Sequence, residues 1–205
     1  MKQIAEYLST KIVQSMIKAT DETIHQIVKD ELDRLGHNAD LNHIDMSKVT
    51  NVKSLFSCSH FSTLGIKYND LNPDISVWDV HNVENMNSMF WGCEQFNCDI
   101  SEWNVNKVKY MNNMFYSCKN FNQDISKWNV SNVIDMDHTF TLCKMFNYDL
   151  SNWNVENVIY MHHMFYGCEN FNQDLSQWDV RKVKYHSNVF KYCPIKNIYK
   201  PHFDD

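Results

Sequence analysis

The sequence predicts an α/β solenoid: an array of 25-residue repeats with short parallel strands, each repeat joining one strand to a short helical segment, behind an N-terminal helical cap. Three series carry this prediction. Trp78, Trp103, Trp128, Trp153 and Trp178 lie 25 residues apart, and so do Asp74, Asp99, Asp124, Asp149 and Asp174. Cys93, Cys118, Cys143, Cys168 and Cys193 keep the same step. A fixed period of roughly 20–50 residues marks a repeat architecture. One such unit cannot bury its apolar side, so neighbours must stack, Trp over Trp and Phe over Phe.

Residues 1–42 are read as the cap. An amphipathic helix is expected over 2–19, from Ile4, Leu8, Ile12 and Met16 recurring four apart. Thr20 and Asp21 offer N-cap oxygens for a second helix carrying Ile24, Ile27, Val28, Leu32 and Leu35, with Gly36 as its stop. The array itself is read as 43–195, beginning with a degenerate repeat over 43–70 that contains a surface loop around Leu64-Gly65-Ile66. Full repeats follow at 71–95, 96–120, 121–145, 146–170 and 171–195. In each, the Phe-Asn-x-Asp-Ile/Leu-Ser-x-Trp half is too short for a helix and reads as a strand. The other half, such as Val108, Met111, Met114, Phe115 and Cys118, has helical spacing and reads as a short helix or 3₁₀ segment. Pro194 ends the array, and 196–205 form a C-terminal tail.

The formal charge is −6, spread along the chain with no Lys/Arg block, which argues against nucleic acid and anionic membrane as partners. No apolar run approaches the roughly 20 residues of a membrane helix. Glu6 stands where a secretory signal would have its apolar core, so the expected location is the cytoplasm. The seven Cys are an odd number, five of them in one row, and they are read as reduced core residues.

Two rows invite a chemical reading. Five carboxylates in line can attract cations, but each Asp can also accept its own turn N–H, and a catalytic group should break the repeat, not obey it. The structural role is preferred for the Asp row and for Asn72, Asn97, Asn122, Asn147 and Asn172. His138 and His163 occupy equivalent slots and are expected to stack on an outer face. No catalytic residue, metal site or cofactor is assigned.

The string Phe-Asn-Gln-Asp-Ile/Leu-Ser-x-Trp-Asn/Asp-Val-x-x-Val-x-x-Met-x-x-Met-Phe-x-x-Cys, well seen in 121–143, resembles the BspA-type leucine-rich repeat family, once labelled a mycoplasma lipoprotein repeat of unknown function, DUF285. The resemblance covers about residues 43–195. It implies a right-handed, leucine-rich-repeat-like solenoid with a binding role, and no catalytic residues to transfer. Many members look like surface adhesins; others occur in phage genomes.

The positions that vary between repeats are the candidate contacts: Glu102, Gln123, Lys127, Tyr148, Asn152, Gln173 and Gln177, with Tyr148 as anchor. The expected function is a non-enzymatic protein–protein interaction module, possessing one protein partner and a homo-oligomer route through the array ends or N-terminal helices. A surface adhesin or virion component is the alternative, and a metal-dependent enzyme using the Asp or His rows is the third reading.

Overall fold

The computed structural model describes residues 16–58 and 69–204. Its regular elements are β1 (Ile17–Thr20), α1 (Ile24–Leu35), β2 (Ile44–Lys48) and a 3₁₀ turn at Asn197–Tyr199. β1 and β2 pair in parallel. Among the described residues between β2 and the 3₁₀ turn the chain is a succession of turns, stacked level upon level at the 25-residue step from residue 71 onward.

The helix expected over 2–19 is corrected where it can be seen. Ile17–Thr20 is a strand, and the rest of that helix, 2–15, lies outside the described residues. The segment buries Ala19 between the exposed Lys18 and half-buried Thr20, and β2 offers it a parallel neighbour. α1 buries Ile24, Val28 and Leu32 and ends where Gly36, at φ +91°, donates its N–H to Leu32. Asp21 is not its N-cap. The Asp21 carboxylate instead accepts the Thr50 and Asn51 N–H groups at 2.7 and 3.0 Å. One level up, the Glu84 N–H donates to the Thr50 carbonyl. A side chain thus makes here the bonds that a backbone carbonyl makes at the next level.

The first level starts earlier than residue 43. The Asn72 and Asp74 N–H groups donate to the carbonyls of His37 and Ala39, and Asp40 bridges Asp74 in parallel. Asp40 Oδ1 accepts the Asn42 N–H at 2.9 Å, as Asp74 Oδ1 accepts that of Ser76 at 3.1 Å. The expected loop around Leu64-Gly65-Ile66 lies outside the described residues.

Neither half of the repeat has its expected secondary structure. The Phe-Asn-x-Asp half is a pair of turns: Asp124 Oδ1 accepts the Ser126 N–H at 3.0 Å, and the Trp128 N–H closes on Ile125. The second half is not helical, because two residues per level sit at positive φ. Ser54, Ser88, Asn113, His138, His163 and Asn188 form one such row; Gly92, Ser117, Leu142, Gly167 and Tyr192 form the next. A left-handed residue every four positions cannot sustain i→i−4 bonding. The N–H groups go to the next level instead: Met111, Asn113, Phe115 and Ser117 donate to Asp135, Asp137, Thr139 and Thr141. Parallel bridges therefore run Asn51, Asn85, Tyr110, Asp135, Tyr160, Tyr185, in the half expected to be helical.

Inside, the rows form ladders. Phe56, Phe90, Phe115, Phe140, Phe165 and Phe190 stack at centroid steps of 5.4–5.7 Å. A second column, Phe96, Phe121, Phe146 and Phe171, lies beside them at 5.7–6.0 Å steps. Each row Trp donates its indole N–H to the level below, as Trp128 does to Ile100 at 3.1 Å. Each buried row Cys donates similarly, Cys118 to Phe90 at 3.1 Å. Burial raises these thiols well above their ordinary pKa. All seven cysteines are free. At the far end the Asn ladder is completed by the tail, where Lys196 donates its N–H to Asn172 Oδ1 at 3.1 Å.

Candidate interaction surface

The parallel ladder that joins the levels also displays the most conspicuous exposed side chains. Trp91, Tyr110, Tyr160, Tyr185 and Tyr192 are 39, 40, 39, 45 and 67% accessible, high values for large aromatics. All five belong to the second, ladder-bearing half of their levels. On one flank Trp91 meets Tyr116 edge-on at 5.9 Å, Tyr116 meets His138 at 6.1 Å, and His138 stacks on His163 at 4.8 Å. Tyr166 and Tyr192 continue the run at 5.4 and 5.1 Å. On the other flank Tyr160 and Tyr185 stack at 4.9 Å, with His162 against Tyr185. The result is a band of rings crossing five levels.

The backbone explains the histidines. His138 and His163 hold φ near +57 and +54°, where His, like Asn and Asp, is better tolerated than bulky residues. Their stacking was expected; their face is that of the ladder and not of a helix. Burial, and then the neighbouring His163, lower the pKa of His138 and so favour its neutral form. Among the described residues no group of three His, Cys, Asp or Glu is placed to hold a metal ion.

Asp135 breaks the tyrosine row, bridging Tyr110 below and Tyr160 above. Its Oδ1 accepts the Asp137 N–H at 3.0 Å, while burial, with Asp137 nearby, pushes its pKa up to about 6. The protonated form therefore favours folding; that contribution is complete below the unfolded value of 3.8 and is lost as pH rises through about 6. Asn85, two levels below in the same row, makes the same turn bond at 2.9 Å without a charge. Asp135→Asn should keep the bond and remove the cost, raising stability at neutral pH by about 1–2 kcal/mol after allowing for solvent on its open side. Urea unfolding across the range between those two pKa values checks this: the wild type should lose stability relative to the variant as pH rises, and parallel profiles would refute it.

The seven positions singled out from sequence occupy the other half of the repeat. Glu102 and Lys127 are 81 and 76% exposed and form an ion pair at 3.8 Å. Glu102 also lines a groove of about 450 Å³ with Val77, Trp78 and Asn104. Gln123 and Gln173 are tied to the scaffold, donating to the Asn97 and Asn147 carbonyls at 2.9 and 2.7 Å. Gln177 reaches Ser176 Oγ at 3.3 Å. Asn152 and Tyr148 are exposed. The aromatic band was missed, although its series Tyr110, Tyr160, Tyr185 and Tyr116, Tyr166 stands in the sequence.

The Asp row is structural. Asp74, Asp99, Asp124, Asp149 and Asp174 each accept the N–H of the Ser two residues on, at 2.8–3.1 Å. The Ser126 hydroxyl and N–H hold Asp124 below the usual carboxylate range. The Asn row zips the levels: Asn97, Asn122 and Asn147 Oδ1 accept the N–H of Asn122, Asn147 and Asn172 at 2.9–3.1 Å.

A family profile described as a mycoplasma protein of unknown function, DUF285, matches residues 24–142 and again 124–197. No curated protein and no solved structure matches the chain. Among the described residues no helix is long and apolar enough to cross a membrane.

Proposed function

Since the chain belongs to the DUF285 family, we propose that it is a right-handed, leucine-rich-repeat-like solenoid serving as a non-enzymatic protein–protein interaction module. The observation that carries this reading is the exposed aromatic band of Trp91, Tyr110, Tyr160, Tyr185 and Tyr192. Tyr and Trp are enriched at interface hot spots because they offer large, stiff contact area with a polar tip. The ladder beneath fixes their backbone, so little ordering cost remains at binding. The row of free thiols suits a reducing, intracellular compartment.

The test is affinity capture from the native host, comparing wild type with two variants. One carries Tyr110→Ser, Tyr160→Ser and Tyr185→Ser; the other carries Glu102→Ala, Lys127→Ala and Gln177→Ala. Recovery of a partner should fall at least about tenfold in the tyrosine variant, the scale of one lost hot spot, with the melting temperature little changed. Loss in the second variant alone would overturn the aromatic surface as the binding face.

A further inference from the structure

Most of the level-to-level backbone bonds point one way. Val52, Ser54, Phe56 and Cys58 donate upward to Asn85, Asn87, Met89 and Trp91, and four N–H groups do so again at every later level, up to Met161, His163, Phe165 and Gly167. Two or three backbone bonds per step oppose these four, such as those of Lys109 and Tyr110 to Glu84 and of Asn120 to Glu94, which leaves a net direction. Aligned peptide dipoles add, as they do in a helix, so the ladder has a positive pole at its C-terminal end. There the corresponding donors are the N–H groups of His186, Asn188, Phe190 and Tyr192. Among the described residues these four reach no acceptor. Successive N–H groups in alternating right- and left-handed backbone form an anion-attracting edge, and Asn188 and Tyr192 are at φ +56 and +60°.

Most charged side chains at this pole have the same sign, Asp179 and Asp204 excepted. Between Asp179 and Asp204 there is no acidic residue, while Arg181, Lys182, Lys184, Lys191, Lys196 and Lys200 all fall there. The even spread of charge expected from sequence fails here: this end carries +6 in a chain of −6, leaving −12 for the remainder. Arg181 is paired with Asp179. The five lysines have no carboxylate partner among the described residues. Beside the edge lies a groove of about 340 Å³ lined by His186, Val189, Phe190, Lys191, Pro201 and Phe203. Phe203 forms its wall by stacking on His186 at 4.6 Å.

We propose that this C-terminal end is a docking edge for an acidic, extended polypeptide segment of a partner protein. The segment's carbonyls continue the ladder on the four open N–H groups, its carboxylates meet the lysines, and one apolar side chain enters the groove. The site is separate from the aromatic band. Charge alone would also admit a nucleic acid. Donors at alternate residues match the carbonyl repeat of an extended chain, and the groove asks for an apolar group, so polypeptide is the better fit.

The test uses the full chain and a fluorescein-labelled peptide of alternating glutamate and valine, with an alternating lysine–valine peptide and a single-stranded oligonucleotide as controls. The acidic peptide should bind, lose roughly tenfold or more in affinity between about 50 and about 500 mM salt, and slow hydrogen exchange at His186, Asn188, Phe190 and Tyr192. The variant Lys184→Glu, Lys191→Glu, Lys200→Glu should abolish binding, whereas Lys107→Glu, Lys109→Glu should not. No binding, binding without exchange protection, or equal binding of the oligonucleotide would each overturn the proposal. So would protection of these amides in the free chain on self-association, which would make a second copy the occupant.

Discussion

Replacing Phe115 by alanine is expected to lower the unfolding free energy by about 4–5 kcal/mol, near the top of the range for buried aromatics. The ring is inaccessible to solvent. It lies between Phe90 and Phe140 at 5.6 and 5.7 Å, with Phe121 at 4.1 Å and Trp128 at 6.4 Å. The hole is therefore walled by rings above, below and beside it, and ladder bonds hold those rings in place. Collapse into the gap would break the Phe115–Thr139 and Met114–Phe90 backbone bonds. Phe190 is the matched control. It keeps the level below, Phe165 at 5.6 Å, but is half-buried with no level above. Phe190→Ala should cost about 2 kcal/mol. The interior change should also separate the unfolding of the two halves, because stability in such an array is a sum of nearest-neighbour terms. Urea unfolding followed by tryptophan fluorescence and by circular dichroism measures both. Equal losses at the two sites would show that stacking between levels is not what the Phe column contributes.

The contents of the core were legible because burial is a demand on single positions. Trp, Phe and Cys recur where only buried apolar residues serve, and the Asp row could be read as turn chemistry from its recurrence alone. The backbone path was not legible from the same letters. Met86, Met89, Phe90 and Cys93 have the three- and four-residue spacing of a helix face, but two consecutive turns place side chains inward at that spacing too. What separates the two is the residue between them. Ser88, Asn113, His138, His163 and Asn188 are types that tolerate positive φ, and Gly92 and Gly167 mark the next such position. Once the path turns, every other N–H leaves the level, and the ladder appears in the half expected to be helical. The aromatic band follows from this displacement: Tyr110 and Tyr160 read as the polar side of a helix but stand exposed on a ladder. Two of the candidate contacts chosen from sequence variation turn inward for a related reason. Variation marks freedom from the core, and Gln123 and Gln173 used that freedom to bond the scaffold.

Trp128→Phe is expected to cost about 2–3 kcal/mol, and this change tests what a tryptophan supplies that another large ring does not. Phenylalanine would retain much of the buried area. It cannot replace the indole N–H, which donates to the Ile100 carbonyl at 3.1 Å in a site 4% exposed. The same bond recurs at Trp78, Trp103, Trp153 and Trp178, at 2.9–3.2 Å to Leu41, Ile75, Ile125 and Leu150. An acceptor left unpaired in such a place costs about 1–3 kcal/mol, and the smaller ring adds a cavity. Trp91, the sixth tryptophan, is 39% exposed and belongs to the aromatic band, so Trp91→Phe should change stability by less than about 0.5 kcal/mol. Trp103 and Trp128 stack at 6.4 Å, nearly parallel, so their two Phe substitutions should not add. Thermal and urea unfolding of the two single variants and the double variant decide the matter. If Trp128→Phe is as mild as Trp91→Phe, the indole bond does not lock the levels, and the recurrence of tryptophan reflects ring size alone.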